Sequence, residues 1–205
     1  MNLPGIYTMN CRNIIGTVGS NSFEVKQPVC SNCNRTLPEE IKFSHIEYLI
    51  DEYHNEDMFT SLGQLIVTEQ LYQALYSDNI KGFVPLKVSL VKSKYHKSKA
   101  EKMPECTYLA VLPPQIKNIP IAYEFEKICP VCNFGIMDIN TLKPALFIRT
   151  DLENKQPVNI YFNSWNGNDI FDLSDHGEVA ITQKFLDIIQ KFDCPEVLTF
   201  PAKWI

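Results

Sequence analysis

The sequence predicts an α+β protein with a mixed, mainly antiparallel sheet and a few short helices, and three observations carry that prediction. Short runs rich in β-branched and aromatic residues are punctuated by Gly, Pro and Asn, as strands are. A strand-helix-strand segment occurs twice. Two CxxC pairs, Cys30-Ser31-Asn32-Cys33 and Cys129-Pro130-Val131-Cys132, each close a strand candidate. At 205 residues, 45% hydrophobic and 21% charged, the chain is long enough for one globular domain spanning residues 1–205.

The first element, over Asn13 to Lys26, reads as a hairpin leading into the first CxxC pair: Ile14, Ile15, Val18, Phe23 and Val25 are interrupted by Gly16, Gly19 and Asn21. Ser44-His45-Ile46-Glu47 then has the form of a capping box. With Ile46, Leu49, Ile50 and Tyr53 at helical spacing, it predicts a short helix over about 45–54. Leu65 to Val67 is a short apolar strand, and Thr68 is a natural N-cap for a helix burying Leu71, Ala74 and Leu75 and ending at Asp78-Asn79. Gly82 to Val91 alternates into a strand with one buried face. Further strands are expected at Tyr108 to Leu112, Ile121 to Ile128 and Ala145 to Arg149.

The segment from Asp57 to Leu75 recurs. Asp57 matches Asp169, Phe59 matches Phe171, Gly63 matches Gly177 and Thr68 matches Thr182; Leu71, Ala74 and Leu75 match Phe185, Ile188 and Ile189. Each copy is followed by a short apolar strand, Phe83-Val84 or Val197-Leu198. Two copies are too few for a solenoid, so the expectation is a duplicated module, about 57–91 and 169–201, whose halves pack together. The CxxC pairs are displaced by 99 residues rather than 112 to 114, and so need not derive from that duplication.

Two CxxC knuckles supply four thiolates, the complement of a closed tetrahedral zinc site, so Cys30, Cys33, Cys129 and Cys132 are the candidate metal ligands. A redox CxxC is the competing chemistry. Each pair is followed by Asn, Asn34 or Asn133, where the turn goes left-handed and Asn is the residue best tolerated after Gly. Four thiolates around Zn2+ leave two negative charges, and Lys26, Arg35 and Lys127 are near in sequence to offset them. With 95 residues between Cys33 and Cys129 the site is a clamp on a long loop rather than a compact ribbon.

The seven cysteines leave Cys11, Cys106 and Cys194 scattered, which suits a reducing compartment and small core residues. Neither a leader at Met1 to Asn10 nor a run of about 20 apolar residues is present, so a cytoplasmic protein is expected. Net charge is −5 with a pI near 5.4, which repels nucleic acid and favours a basic partner. Six lysines between Lys87 and Lys102 read as a solvated or edge-protecting stretch. His45 and His54 read as surface residues. Asp175-His176 and Trp165-Asn166-Gly167-Asn168 read as turns, the Trp packed under its own turn or anchoring a partner. No nucleophile elbow, phosphate loop or H-E-x-x-H motif occurs, so no enzyme is expected.

The two knuckles, Leu65-Ile66-Val67-Thr68-Glu69 opening a helix, and Trp165-x3-Asp169-Ile170-Phe171 before a second such helix together resemble the bacterial double-CxxC immunity proteins of polymorphic or contact-dependent toxin systems. The likeness runs from about Cys30 to the end and departs where that family has Gly after each pair. It implies a non-catalytic antidote that binds a cognate protein toxin, such as a basic nuclease. Glu47, Asp51, Glu52, Glu56 and Asp57 are a candidate contact face, and the interface itself has no assigned residues. The alternative is a zinc-containing nucleic-acid-binding or regulatory module using the Lys87 to Lys102 stretch.

Overall fold

The computed structural model describes residues 3–26, 28–34, 43–61, 64–95, 103–112, 125–131, 135–137, 158–160, 165–173 and 178–205. The chain begins with β1 (Ile6–Cys11), β2 (Gly16–Val18), β3 (Phe23–Glu24), β4 (Phe43–Ile50), β5 (Met58–Ser61) and β6 (Gln64–Thr68). Helix α1 (Glu69–Ser77) follows, then β7 (Phe83–Lys92), β8 (Cys106–Val111), β9 (Phe125–Ile128), β10 (Gly135–Met137), β11 (Val158–Ile160), β12 (Ile170–Leu173) and β13 (Glu178–Thr182). Helix α2 (Gln183–Ile189) and β14 (Val197–Trp204) complete it. The class is α+β with mixed sheets, mostly antiparallel, as the sequence predicts.

Two sheets dominate, and they share one strand plan. The first runs β5-β6-β8-β7-β4, with β2 and β3 added along β4; the second runs β12-β13-β1-β14-β11. In each, the first three junctions are antiparallel and the last is parallel. The third strand of each sheet comes from elsewhere in the chain: β8 follows the β4–β7 segment, whereas β1 lies at the N-terminal end, far from β11–β14. Thr68 faces Cys106 across its junction and Thr182 faces Ile6, so β1 and β8 stand at equivalent places 100 residues apart.

The local chemistry of the two hairpin-helix units is matched except at the cap itself, where Thr68 caps its helix through its hydroxyl and Thr182 makes no side-chain cap hydrogen bond. Thr68 is extended (φ −64°, ψ 156°) and its hydroxyl accepts from the Leu71 N–H at 3.4 Å, the N-cap that the sequence predicts. The same hydroxyl donates to Asp57 Oδ1 at 2.6 Å; in the second unit Thr182 Oγ1 donates to Asp169 Oδ1 at 3.0 Å. The first N–H of each helix, Glu69 and Gln183, finds a carbonyl on the residue just before the third strand: Glu105 O or Gly5 O, both at 2.8 Å. That satisfies a donor which a helix start otherwise leaves open. Helix α1 stops at Asp78, whose N–H returns to Ala74 O, and Asn79 then turns left-handed at φ 52°.

The main core lies where the two units meet. Met58, Leu65, Val67, Leu71, Leu75 and Leu109 from the first sheet and α1 pack with Met9, Ile170, Ile181, Phe185, Ile188 and Ile189 from the second sheet and α2. Burial of each large side chain stabilises by about 1.5–3 kcal/mol. Alternation sends Ile66, Tyr108 and Ala110 to a second cluster with Ile46, Tyr48 and Phe59. It sends Ile6 and Ala180 to a third with Phe171 and Ile160.

Two expectations are corrected. The helix over 45–54 is instead β4: Ile46, Tyr48 and Ile50 are all fully buried, a period of two. The capping-box residues serve other ends, since Ser44 Oγ donates to Phe23 O and Glu47 accepts from Asn21 Nδ2 at 2.7 Å. The hairpin over Asn13 to Lys26 is one interrupted strand. β2 and β3 both pair with β4 rather than with each other, broken by a tight turn in which Ser22 N donates to Gly19 O. Of the Ile121 to Ile128 strand, Phe125–Ile128 is β9; residues 121–124 and the Ala145 to Arg149 strand lie outside the described residues.

Candidate metal centre

The first knuckle enters from β3 and bends at Cys30, where Asn34 N donates to Cys30 O at 2.9 Å. Asn34 sits at φ 54°, the left-handed position that the sequence assigns to it. The second knuckle leaves β9, whose last residue, Ile128, precedes Cys129. These two approaches bring Cys30, Cys33 and Cys129 together, with their sulfurs all within 4.8 Å of one another, and such a triad could hold a metal ion. Cys30 Sγ and Cys129 Sγ are 3.8 Å apart although 99 residues separate them. Cys30 is 2% exposed and Cys129 5%, while Cys33 is partly open to solvent. Cys132, Asn133 and Arg35 lie outside the described residues.

A fourth participant was missed by the sequence reading. Asn32 Nδ2 donates to Cys129 Sγ at 3.4 Å, from one knuckle to the other. The sequence offered only that an amide sits at the third position of CSNC, where the second pair has Val131. Side-chain cations were sought there instead, and an amide supplies the described contact.

The other candidates have structural duties. His54 lies between two carboxylates, with Nε2 at 3.2 Å from Glu52 and Nδ1 at 3.5 Å from Glu56, and His45 packs beside the Phe23 ring. The proposed acidic face is broken up: Glu47 anchors the β2–β3 turn, Asp51 accepts from Ser93 Oγ, Glu56 is buried, and Asp57 holds Thr68. Trp165 lies under its own turn, with Nε1 donating to Asn168 O at 2.7 Å and its ring 5.3 Å from that of Trp204. Asp175-His176 lies outside the described residues, as do Lys97, Lys99 and Lys102.

Cys11, Cys106 and Cys194 pack against the two larger cores. Burial pushes the Cys11 thiol up to about 11 and those of Cys106 and Cys194 up to about 12, with nearby Asp57 adding to the last two. Protonated thiols of this kind are poor nucleophiles. Among the described residues no helix is long and apolar enough to cross a membrane. Compared with known proteins, the chain matches no family model and no curated protein.

Proposed function

We propose that the chain is a tandem duplication whose two copies exchange their leading strands, and that a structural zinc pins the copies where their knuckles meet. Each copy runs strand, knuckle, strand, hairpin, helix, strand: β1 to β7 in the first, β8 to β14 in the second. The shared strand plan supports this, as does the offset of the leading strands, 100 residues, close to the 99 between the knuckles. Cys30 to Asp57 spans 27 positions and Cys129 to Asp169 spans 40, so a 13-residue insertion in the second copy reconciles that offset with the 112 of the hairpins. The knuckles therefore belong to the repeat.

Zinc fits the donor set. Zn–S bonds of about 2.3 Å in a tetrahedron put sulfurs roughly 3.8 Å apart, and Cys30 and Cys129 lie at 3.8 Å. A disulfide requires about 2.05 Å. All-thiolate sites favour zinc over hard cations, and Cys132 is the remaining ligand. The exchange is tested by a circular permutant. Trp204 Nε1 donates to Pro4 O at 2.8 Å, so the ends of β14 and β1 can be joined, with new termini cut between Tyr95 and Met103. The joined chain should fold with one zinc and a Tm within a few degrees of the parent. An unfolded or metal-free product would refute the exchange.

On this scaffold the function is that of a non-catalytic immunity protein that binds and neutralises a cognate toxin in the cytoplasm. The carrying observation is that Cys30 and Cys33 of one motif and Cys129 of the other converge on one point, with Cys30 and Cys129 buried, an arrangement that supports a site built for stability, as the resemblance to double-CxxC immunity proteins implies. Net charge −5 suits a basic partner such as a nuclease. Co-expression with the toxin encoded beside it should give a stable complex and abolish toxicity. No complex and no protection, or salt-dependent retention on DNA or RNA instead, would overturn the reading.

A further inference from the structure

We infer that Asn32 is a positioning residue for the metal, acting across the two knuckles through the Cys129 sulfur. This rests on the zinc reading above. Asn32 is exposed, so its packing contributes little, yet its amide is within 3.4 Å of a sulfur that is on the other knuckle and is itself 5% exposed. A buried thiolate needs compensating N–H groups, and Zn2+ with four thiolates keeps two excess negative charges. Asn32 brings a donor without adding a charge.

The same contact aligns the parts. The Cys30 turn is closed by its own backbone, Asn34 N to Cys30 O, and the amide then reaches across to the sulfur of the second copy. Two ligands from the first knuckle and one from the second are thereby held in register. At the equivalent position the second knuckle has Val131, which is 60% exposed and has no side-chain donor to return the bond. The side chain at that position therefore cannot return the bond that Asn32 makes.

The test uses the full-length protein and two variants, Asn32→Val, which copies the second knuckle, and Asn32→Asp, which keeps the shape and replaces the donor by an acceptor. Zinc affinity is measured by competition with a chromophoric chelator, and the cobalt-substituted forms are examined for their sulfur-to-cobalt charge-transfer band. Loss of a partner that orients a metal ligand typically weakens binding 10- to 100-fold. Asn32→Val is expected in that range, Asn32→Asp at or beyond its upper end, and both bands should move to longer wavelength because the sulfur lone pair loses its hydrogen bond. Asn34→Gly, which alters only the turn, should leave the band in place. Failure of the zinc reading would appear as no zinc bound by the parent protein. Failure of this inference would appear as a parent that binds zinc and an Asn32→Val variant within twofold of it, with an unshifted band.

Discussion

In the first sheet the carboxylate of Asp57 takes Thr68 Oγ1 on one oxygen and the Asp193 N–H on the other, at 2.6 and 3.0 Å. In the second, Asp169 takes Thr182 Oγ1 and the Lys81 N–H, at 3.0 and 3.1 Å. The return bonds match too: Asp57 N donates to Asp193 O and Asp169 N to Lys81 O. Each aspartate thus locks its own hairpin to its own helix and also grips the residue just beyond the helix of the other unit. The surroundings differ. Beside Asp169 a hollow of about 400 Å³ is lined by Lys81, Lys184 and Trp165. By the same offsets the positions that correspond to these three are Asp193, which meets Asp57, Gln70 and Tyr53. The framework bonds are shared while the side chains around them differ, Lys81 in one place standing where Asp193 stands in the other and Lys184 where Gln70 stands.

The proposed zinc gives the largest test of that comparison, since Cys30 and Cys33 come from one knuckle and Cys129 from the other. Binding energy on the order of 10 kcal/mol for a structural zinc is comparable with the whole stability of a domain, about 5–15 kcal/mol. Cys30→Ser and Cys129→Ser should therefore fail alike, giving unfolded or aggregating protein, and a strong chelator should do the same to the parent chain. Circular dichroism and metal analysis decide it. Either serine variant retaining full zinc and an unchanged Tm would break the clamp.

Phe59 and Phe171 provide the next comparison, as both are fully buried on the outer faces of their sheets. Replacing either with Ala should cost about 3–5 kcal/mol in denaturant unfolding. Phe59 should cost more, because its ring stacks on Tyr48 with centroids 5.4 Å apart, a contact worth roughly 0.5–1.5 kcal/mol beyond area. A Phe171→Ala variant losing less than about 1 kcal/mol would mean that the second sheet is not packed as the first is.

Smaller again are the two clamps. Asp57→Ala or Asp169→Ala removes two hydrogen bonds to a carboxylate and should cost about 2 kcal/mol each. The double variant should show their sum, since the clamps share no partner. Thermal unfolding of the four proteins measures it, and a strongly non-additive loss would mean that the clamps act as one unit.

How much of this was legible in the sequence follows from what each signal depends on. The two hairpin-helix units were readable because local chemistry sets them: Asp57 and Thr68, like Asp169 and Thr182, keep their types, although the second unit has two more residues between them. β4 was misread because Ile46, Leu49, Ile50 and Tyr53 fit a helical stripe as well as Ile46, Tyr48 and Ile50 fit a strand. Partners far along the chain, β7 on one side and β2 and β3 on the other, decide between them. The relation between β1 and β8 was invisible because almost nothing in their side chains corresponds; only the backbone pairing with β6 and β13 aligns them. The knuckles were identified by spacing, whereas Asn32 needed the second knuckle in place before its amide had an acceptor.

Strands β1 and β8 give the finest comparison, because each carries a thiol, Cys11 at the end of β1 and Cys106 at the start of β8. With thiols raised to about 11 and about 12 against an ordinary value near 8.5, the thiolate at pH 8 is scarcer than in an unfolded peptide by about a hundredfold or more. Alkylation followed by mass spectrometry should be slowed accordingly at both thiols. The sign for stability follows from the upward direction of both shifts. The neutral thiols favour the fold fully below the unfolded value, and that contribution is lost as pH rises from about 9 towards 12, Cys11 giving way first. Cys11→Ala should flatten the lower part of that alkaline decline and Cys106→Ala the upper part. A decline unchanged in both variants, or equal alkylation of the two thiols at peptide-like rates, would mean that the leading strands are not held in closed cores.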